Sequence, residues 1–115
     1  MFTISERQYL CPLQLSLSLI SGKWKGIIIW FLLDEGILRY GEIKKLIAKN
    51  SSTTITEKML IQSLKELEKD GLVRRKVYPV VPPKVEYSLT AQGQALKPII
   101  DKLEEFGCGY EKRSS

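Results

Sequence analysis

A helical stripe of side chains that can bind nucleic acid occupies positions 58 to 69. Its members are Lys58, Gln62, Lys65 and Lys69, at i, i+4, i+7 and i+11. Lysine attracts phosphate and reaches the acceptor atoms of guanine, and a glutamine amide can pair with both hydrogen-bonding positions on an adenine edge. Because this spacing places all four on one side of a helix, they can enter a major groove together. The alternative is an ordinary solvated face, since glutamates share the same segment.

A second cluster of positive charge follows this stripe. Arg74, Arg75, Lys76 and Lys84 surround a proline-rich segment at residues 79–83. Beside a helix that reads DNA, such side chains can contact phosphates, which adds affinity without reading sequence. The alternative is a sheet edge that positive charge keeps soluble.

The sequence holds no histidine and only two cysteines, Cys11 and Cys108. The absence of histidine removes the commonest general base and the commonest metal ligand, and the cysteines lack the close spacing of a zinc site. We therefore expect no enzymatic activity, no metal and no cofactor. A thiol-disulfide enzyme is the weakest alternative, because the chain also lacks a paired CxxC motif.

Charge and length describe one small basic domain. The chain has 115 residues, and 18 Lys and Arg against 13 Asp and Glu give a formal net charge of +5. Glu6 and Arg7 interrupt the N-terminal segment where a signal peptide needs apolar residues. The longest apolar run, residues 27–33, is far shorter than the roughly 20 residues that span a bilayer. The expected location is therefore the cytoplasm, away from membranes.

Hydrophobic periodicity predicts four helices ahead of the second basic cluster. Pro12 opens the first, and Gly36 and Gly71 follow the second and the fourth, as residues that stop helices do. Five small polar residues, 50–54, form the predicted turn between the third helix and the fourth. The predicted helices cover about 12–20, 24–34, 40–48 and 56–70.

After Gly71 the hydrophobic period changes from helical to alternating. Residues 73–78 and 85–89 alternate apolar and polar side chains, which predicts two strands of a hairpin joined through residues 79–83. Thr90 can cap a last helix, and Pro98 should kink that helix or mark its effective start. The order helix, turn, helix, basic hairpin favours the DNA interpretation over the solvated-surface alternatives.

The stretch from Cys11 to Phe106, about four fifths of the chain, resembles the HxlR-type (MarR-like) winged helix-turn-helix transcriptional regulators of bacteria and archaea. The matching segments are CPLQLSLSLISGKWKGIIIWFL, LRYGEIKKLI, ITEKMLIQSLKELEKDGLVRRKVYPVVPPKVEYSLTAQGQAL and LKPIIDKLEEFG, in the expected order. This resemblance implies an α+β, mostly α fold, a winged helix-turn-helix with a two-stranded wing and terminal dimerisation helices. We expect a single domain over 1–115, with N-terminal helices at 11–35, the helix-turn-helix at 40–71, the wing at 72–89 and a C-terminal dimerisation helix at 90–110.

The resemblance also implies a homodimeric regulator, expected to be a repressor, that binds a palindromic operator in double-stranded DNA. Its DNA-binding residues would be Arg39, Thr54, Thr56, Lys58, Gln62, Lys65, Arg75, Lys76 and Lys84. Its dimer interface would comprise Leu13, Leu17, Leu96, Ile99, Ile100, Leu103 and Phe106. The chain departs from the family at residues 53–55, which are Thr-Thr-Ile where the family has a glycine or proline. The alternative from another class is a winged helix that binds a protein partner and has no specific affinity for DNA.

Cys11 directly precedes the proline that opens the first helix, where the partial positive charge of the helix end favours the thiolate. Members of the resembling family often carry a cysteine there, and some sense thiol-reactive compounds with it. We therefore expect a small thiol-reactive effector to modify Cys11 and release DNA. Cys108 of a partner subunit could pair with it if the two Cα atoms come within about 7 Å. The alternative for Cys11 is a small buried side chain that only packs.

Aromatic residues form one more set of candidates. Trp24 and Trp30 could stack against a ligand, but aromatic side chains in a dense apolar helix are more often part of the core. We therefore expect both tryptophans to be buried. We expect Tyr78 and Tyr87 to be packing residues for the same reason.

Overall fold

The computed structural model describes residues 2–4, 7–50 and 54–114, and within them the chain forms six helices and five strands. In chain order these are β1 (Phe2–Ile4), β2 (Arg7–Tyr9), α1 (Pro12–Ile20), α2 (Lys25–Glu35), β3 (Ile37–Arg39), α3 (Tyr40–Asn50), α4 (Glu57–Lys69), β4 (Val73–Tyr78), β5 (Lys84–Leu89), α5 (Ala91–Gln94) and α6 (Lys97–Ser114). The four predicted helices and the predicted hairpin are all present, which confirms the winged helix-turn-helix architecture. Of the predicted turn at 50–54, residues 51–53 lie outside the described residues, and α3 continues to Asn50.

Helix α2 lies at the centre of the core, because apolar side chains cover most of its circumference. Its completely buried residues are Ile28, Ile29 and Leu32. Helices α3 and α4 pack their buried side chains into the same core, namely Ile43, Ile47, Leu60, Leu64 and Leu67. Each large buried aliphatic side chain stabilises the fold by roughly 1.5–3 kcal/mol relative to an exposed one. The apolar side of α4 is therefore held firmly, and its polar side must face outward.

The two tryptophans of this region lie in different environments. Trp24 is only 4% exposed and belongs to the core, as predicted. The prediction for Trp30 is wrong, because 40% of this residue is exposed. Among the described residues no single helix is long and apolar enough to cross a membrane, and α1 and α2 reach that length and composition only as a pair bent by 75°.

Helix α4 begins and ends at the residues that the sequence indicates. The hydroxyl oxygen of Thr56 accepts a hydrogen bond from the backbone N–H of Met59 at 3.1 Å, which caps the first turn. At the other end Gly71 has a φ of +76°, a left-handed conformation that residues with a Cβ rarely adopt. Leu60, Leu64 and Leu67 of α4 are buried as periodicity predicts, but Met59 and Ile61 are each 42% exposed.

The wing hairpin has the predicted strands and belongs to a larger sheet. Strands β4 and β5 pair antiparallel from Val73 opposite Leu89 to Tyr78 opposite Lys84. Strand β3 also pairs with β5, with Leu38 opposite Tyr87, so the order is β3-β5-β4. Strand β3 was not predicted, because three residues are too few to show alternation. The short hairpin of β1 and β2 was missed for the same reason.

The single C-terminal helix expected over 90–110 is two helices. Thr90 caps α5, as predicted, by accepting a hydrogen bond from the N–H of Gly93 at 3.1 Å. Gly93 is required there, because a Cβ would collide with the backbone carbonyl oxygen of Leu72. Pro98 is the second residue of α6, so it marks the effective start of that helix and does not kink it.

Candidate nucleic-acid interface

The polar side of α4 is a free surface. Lys58, Gln62 and Lys65 are exposed. None of their three side chains makes a hydrogen bond or an ion pair with any residue in the part of the chain that the structure describes. Leu60 and Leu64 are buried in the core on the opposite side, so the backbone that carries these three residues is held in place. Their ammonium and amide groups extend into solvent. The predicted stripe therefore exists as a surface that can receive a ligand.

Helix α4 lies between two open grooves. We call the first the wing groove; it lies between α4 and the sheet, and its charged lining residues are Glu57, Lys65, Glu68 and Arg75. We call the second the loop groove; it lies between α4 and the connection from α1 to α2. Its charged and amide lining residues are Lys23, Lys25, Lys58, Gln62 and Glu66. Lys65 lines the wing groove and Lys58 and Gln62 line the loop groove, so the α4 stripe borders both grooves.

The two faces of the sheet carry different members of the predicted DNA-binding set. Arg75 lies on the inner face, toward α4, on the same side of its strand as the buried Val73. Arg39 and Lys76 lie on the outer face, where both are register partners of Glu86. Lys84 shares that outer face, because it stands two residues before Glu86 on β5. The structure therefore divides the predicted cations between two surfaces.

The outer face holds its cations in a network around Tyr78. The Tyr78 hydroxyl donates a hydrogen bond to Glu86 Oε1 at 2.8 Å, and Lys84 Nζ lies 3.4 Å from Glu86 Oε2. The ammonium groups of Lys76 and Lys84 each lie 4.8 Å from the centre of the Tyr78 ring. The hydrogen bond from Tyr78, followed by the contact with Lys84, lowers the pKa of the Glu86 carboxyl. Tyr78 is half-buried and lies outside the core, so it is not the packing residue that was predicted, whereas Tyr87 is buried in the core as predicted.

The two threonines of the predicted set precede α4. The Thr56 hydroxyl oxygen already accepts the hydrogen bond that caps α4. Thr54 is exposed, and its contact with DNA stays a prediction. At the start of α3 the backbone N–H of Arg39 donates to Glu42 Oε1 at 2.8 Å.

Two lysines of the loop groove were missed by the sequence analysis. Lys23 and Lys25 flank Trp24 in the segment SGKWK. The signal was present, since two lysines stand within three residues beside a glycine. Periodicity shows only that a helix begins there, and it does not show that this end of α2 lies against α4.

The chain from the end of α1 onward matches a known family. Residues 19–115 match the HxlR-like helix-turn-helix family. The chain belongs to this family of transcriptional regulators. One relative is the uncharacterized HTH-type transcriptional regulator YdeP of Bacillus subtilis (strain 168), which is 47% identical over 103 residues, 90% of this chain and 76% of the relative. The expected resemblance is therefore confirmed.

Solved structures of similar proteins share the fold. The redox regulator HypR in its reduced form is 42% identical, with a TM-score of 0.80 over 88% of this chain and 94% of that one. The reduced transcriptional regulator YodB from B. subtilis is 38% identical, with a TM-score of 0.70 over 85% of this chain and 91% of that one. HypR is also known in an oxidized form, and YodB after treatment with diamide.

This HxlR-like chain exposes apolar side chains on α1 and α6. Leu13 and Leu17 of α1 are 66% and 51% exposed. On α6, Ile99, Leu103 and Phe106 are 46%, 50% and 62% exposed. These five residues of the predicted dimer interface are therefore uncovered within the protomer.

The rest of the predicted interface needs a correction. Leu96 and Ile100 are buried in the protomer's own core, so they are not available to a second copy. Tyr110, which the sequence analysis did not name, is 61% exposed and stacks on Phe106 with ring centres 6.2 Å apart. Its spacing from Ile99, i+11, was the signal that could have found it.

Both cysteines are exposed and free. Cys11 is the N-cap of α1, directly before Pro12, as expected, and Cys108 lies within α6. The alternative of a buried packing cysteine is therefore wrong for Cys11. Within the described residues no group of three or more His, Cys, Asp or Glu is placed to hold a metal ion.

Proposed function

We propose that this HxlR-like protein is a cytoplasmic, homodimeric transcriptional repressor that binds a palindromic site in double-stranded DNA. The observation that carries the proposal is the free stripe of Lys58, Gln62 and Lys65 on α4. A helix whose polar groups have no partner in the described chain can exchange water for base-edge contacts without breaking internal bonds. Membership of a family of helix-turn-helix regulators supports this assignment.

Base reading is assigned to α4, and phosphate binding to the elements beside it. Gln62 would pair with adenine and Lys65 with guanine. Arg75 borders the wing groove, so it can reach the phosphates that flank the same major groove. Lys76 and Lys84 would bind phosphates through the wing, and Arg39 and Thr54 would add contacts near α3 and α4.

Dimerisation is supported by the apolar sides of α1 and α6. The described part of the chain leaves Leu13, Leu103 and Phe106 at least half exposed. A second copy packed on them would remove this apolar surface from water. A two-fold dimer would then place two α4 helices in successive major grooves, about 34 Å apart.

Cys11 supports control of DNA binding by a small thiol-reactive compound. It is exposed at the start of α1, a helix that we assign to the dimer interface, so a covalent change there can alter the separation of the two α4 helices. With diamide, two thiols lose two electrons and two protons to the N=N bond, which becomes a hydrazine, and a disulfide forms. Cys108 of the partner subunit is the proposed second thiol. The redox states in which HypR is known support this assignment.

A DNA-release assay tests the thiol role. Diamide or a quinone should release the wild-type protein from its site, whereas Cys11→Ser should stay bound. Cys108→Ser should resist diamide but still respond to the quinone, because alkylation of Cys11 needs no second thiol. A full response of Cys11→Ser to both compounds would contradict the role of Cys11.

A salt titration tests the function itself. Fluorescence anisotropy would compare a duplex from upstream of the protein's own gene with a random duplex. We expect the first to bind at least about 1,000-fold more tightly, and both affinities to fall steeply with salt. Binding to neither duplex would favour the protein-interaction alternative.

A further inference from the structure

The loop groove beside α4 is basic. Lys23, Lys25 and Lys58 line it together with one carboxylate, that of Glu66. Lys25 Nζ lies 3.7 Å from Glu66 Oε2, so this carboxylate already has a cation. The groove keeps an excess of positive charge from Lys23 and Lys58, which attracts an anion.

Helix α2 begins at this groove, which is lined by its N-cap residue Trp24 and its first residue Lys25. Trp24 is the N-cap of α2, and no side chain caps this end. The first turn contains no acidic residue, and the N–H groups of a first turn have no acceptor within the helix. Their partial positive charge adds to that of the lysines, and it favours an oxyanion over a neutral ligand.

Trp24 is the buried aromatic residue of this groove. The residue lines the groove and is only 4% exposed. Its indole N–H is buried and has no partner among the residues that the structure describes. Buried indole N–H groups ordinarily find an acceptor. Lys23 Nζ lies 5.2 Å from the centre of the same ring, and this contact holds its ammonium group at the groove.

We infer that the loop groove binds a backbone phosphate of the DNA whose major groove receives α4, with Lys23 as the principal cation. The inference rests on the proposed function, because Lys58 and Gln62 belong both to the groove and to the α4 stripe. A duplex engaged by that stripe would bring its phosphates to the first turn of α2. The loop groove would then bind the phosphates along one edge of the DNA major groove. Arg75, at the wing groove, would bind those along the other edge.

Charge-neutral variants test the site against a matched control. Lys23→Gln should weaken binding to the protein's own promoter duplex and to a random duplex by the same factor, about tenfold. It should also reduce the slope of log affinity against log salt by about 1. Lys97→Gln removes the same charge from α6, where Lys97 is exposed and paired with Asp101. It should change both the affinity and the salt slope less than Lys23→Gln does. Lys23→Arg should keep the wild-type slope.

The outcomes separate this inference from the proposed function. If the wild-type protein binds neither duplex, both fail. If it binds and Lys23→Gln behaves like Lys97→Gln, the phosphate site is contradicted while the proposed function stands.

Neutralising single phosphates as methylphosphonates gives a second readout. At one position per half-site, the substitution should weaken binding of the wild type and of Lys97→Gln but have no further effect on Lys23→Gln. Equal further losses in all three proteins at every position would overturn the site.

Discussion

The α4 stripe and the outer face of the wing are both basic, but they hold their charges differently. Lys58 and Lys65 make no ion pair or hydrogen bond within the described part of the chain. Lys76 and Lys84 instead share the ring of Tyr78, and Lys84 also contacts Glu86. Free groups on a rigid helix can adapt to base edges, whereas groups held in a network present a fixed charge. If the protein binds DNA as proposed, we expect α4 to read sequence and the wing to add affinity that does not depend on sequence.

A substitution in the α4 stripe should have the largest effect on binding to the specific DNA site. Gln62→Ala should weaken the specific site by about 1–3 kcal/mol and leave random duplex nearly unchanged, because an adenine contact is lost and no phosphate contact. Anisotropy titrations of both duplexes measure this difference. Gln94→Ala, which removes an exposed glutamine from α5, is the matched control and should have no effect. Equal losses on the two duplexes would remove Gln62 from base reading.

A substitution in the wing should have a smaller effect on DNA affinity, and that effect should be the same for every DNA sequence. Lys76→Ala should weaken specific and random duplexes alike and lower the salt slope by about 1, because one phosphate contact is lost. Lys97→Ala on α6 is the control for lost charge. If Lys76→Ala changed the preference among binding sites, the wing would also read sequence, and the contrast with α4 would fail.

The smallest effect tests the network itself. Tyr78→Phe removes the hydroxyl that donates to Glu86, so the pKa of the Glu86 carboxyl should rise toward its usual range. Because the pKa is lowered in the folded chain, the network stabilises the fold above the usual pKa of a glutamate and loses that contribution as pH falls through the lowered value. An NMR titration of the carboxyl carbon measures the shift, and an unchanged pKa would show that the hydroxyl is not its cause. DNA affinity at neutral pH should barely change, since the ring under both lysines remains.

Elements with long periodic patterns or strong stop signals were predictable from the sequence. Helix α4 lies between Thr56 and Gly71 because a cap and a left-handed glycine act locally. Strand β3 was not predictable, since its three residues depend on pairing with β5 for their structure. Trp30 was misplaced because α2 is apolar on nearly all sides, so composition does not show which side faces out.

The face of a strand or helix on which a single residue lies was often predictable, but the surfaces that these residues form together were not. Alternation places Arg75 and Lys76 on opposite faces of β4, yet only the packed structure shows that Arg75 faces α4. Ile99 and Ile100 are a similar case. Both belong to the apolar side of α6, and only the packed structure shows that Ile100 is the one buried in the core. Lys23 was missed because the closeness of the α2 start to α4 is a tertiary property.

The spacing between half-sites tests most directly whether two α4 helices read successive major grooves. Five base pairs inserted at the centre of the protected palindrome turn one half-site by about half of a turn of roughly 10.5 base pairs. We predict that affinity then falls to that of a duplex with a single half-site. An affinity unchanged by the insertion would contradict a dimer that holds its two recognition helices at a fixed separation.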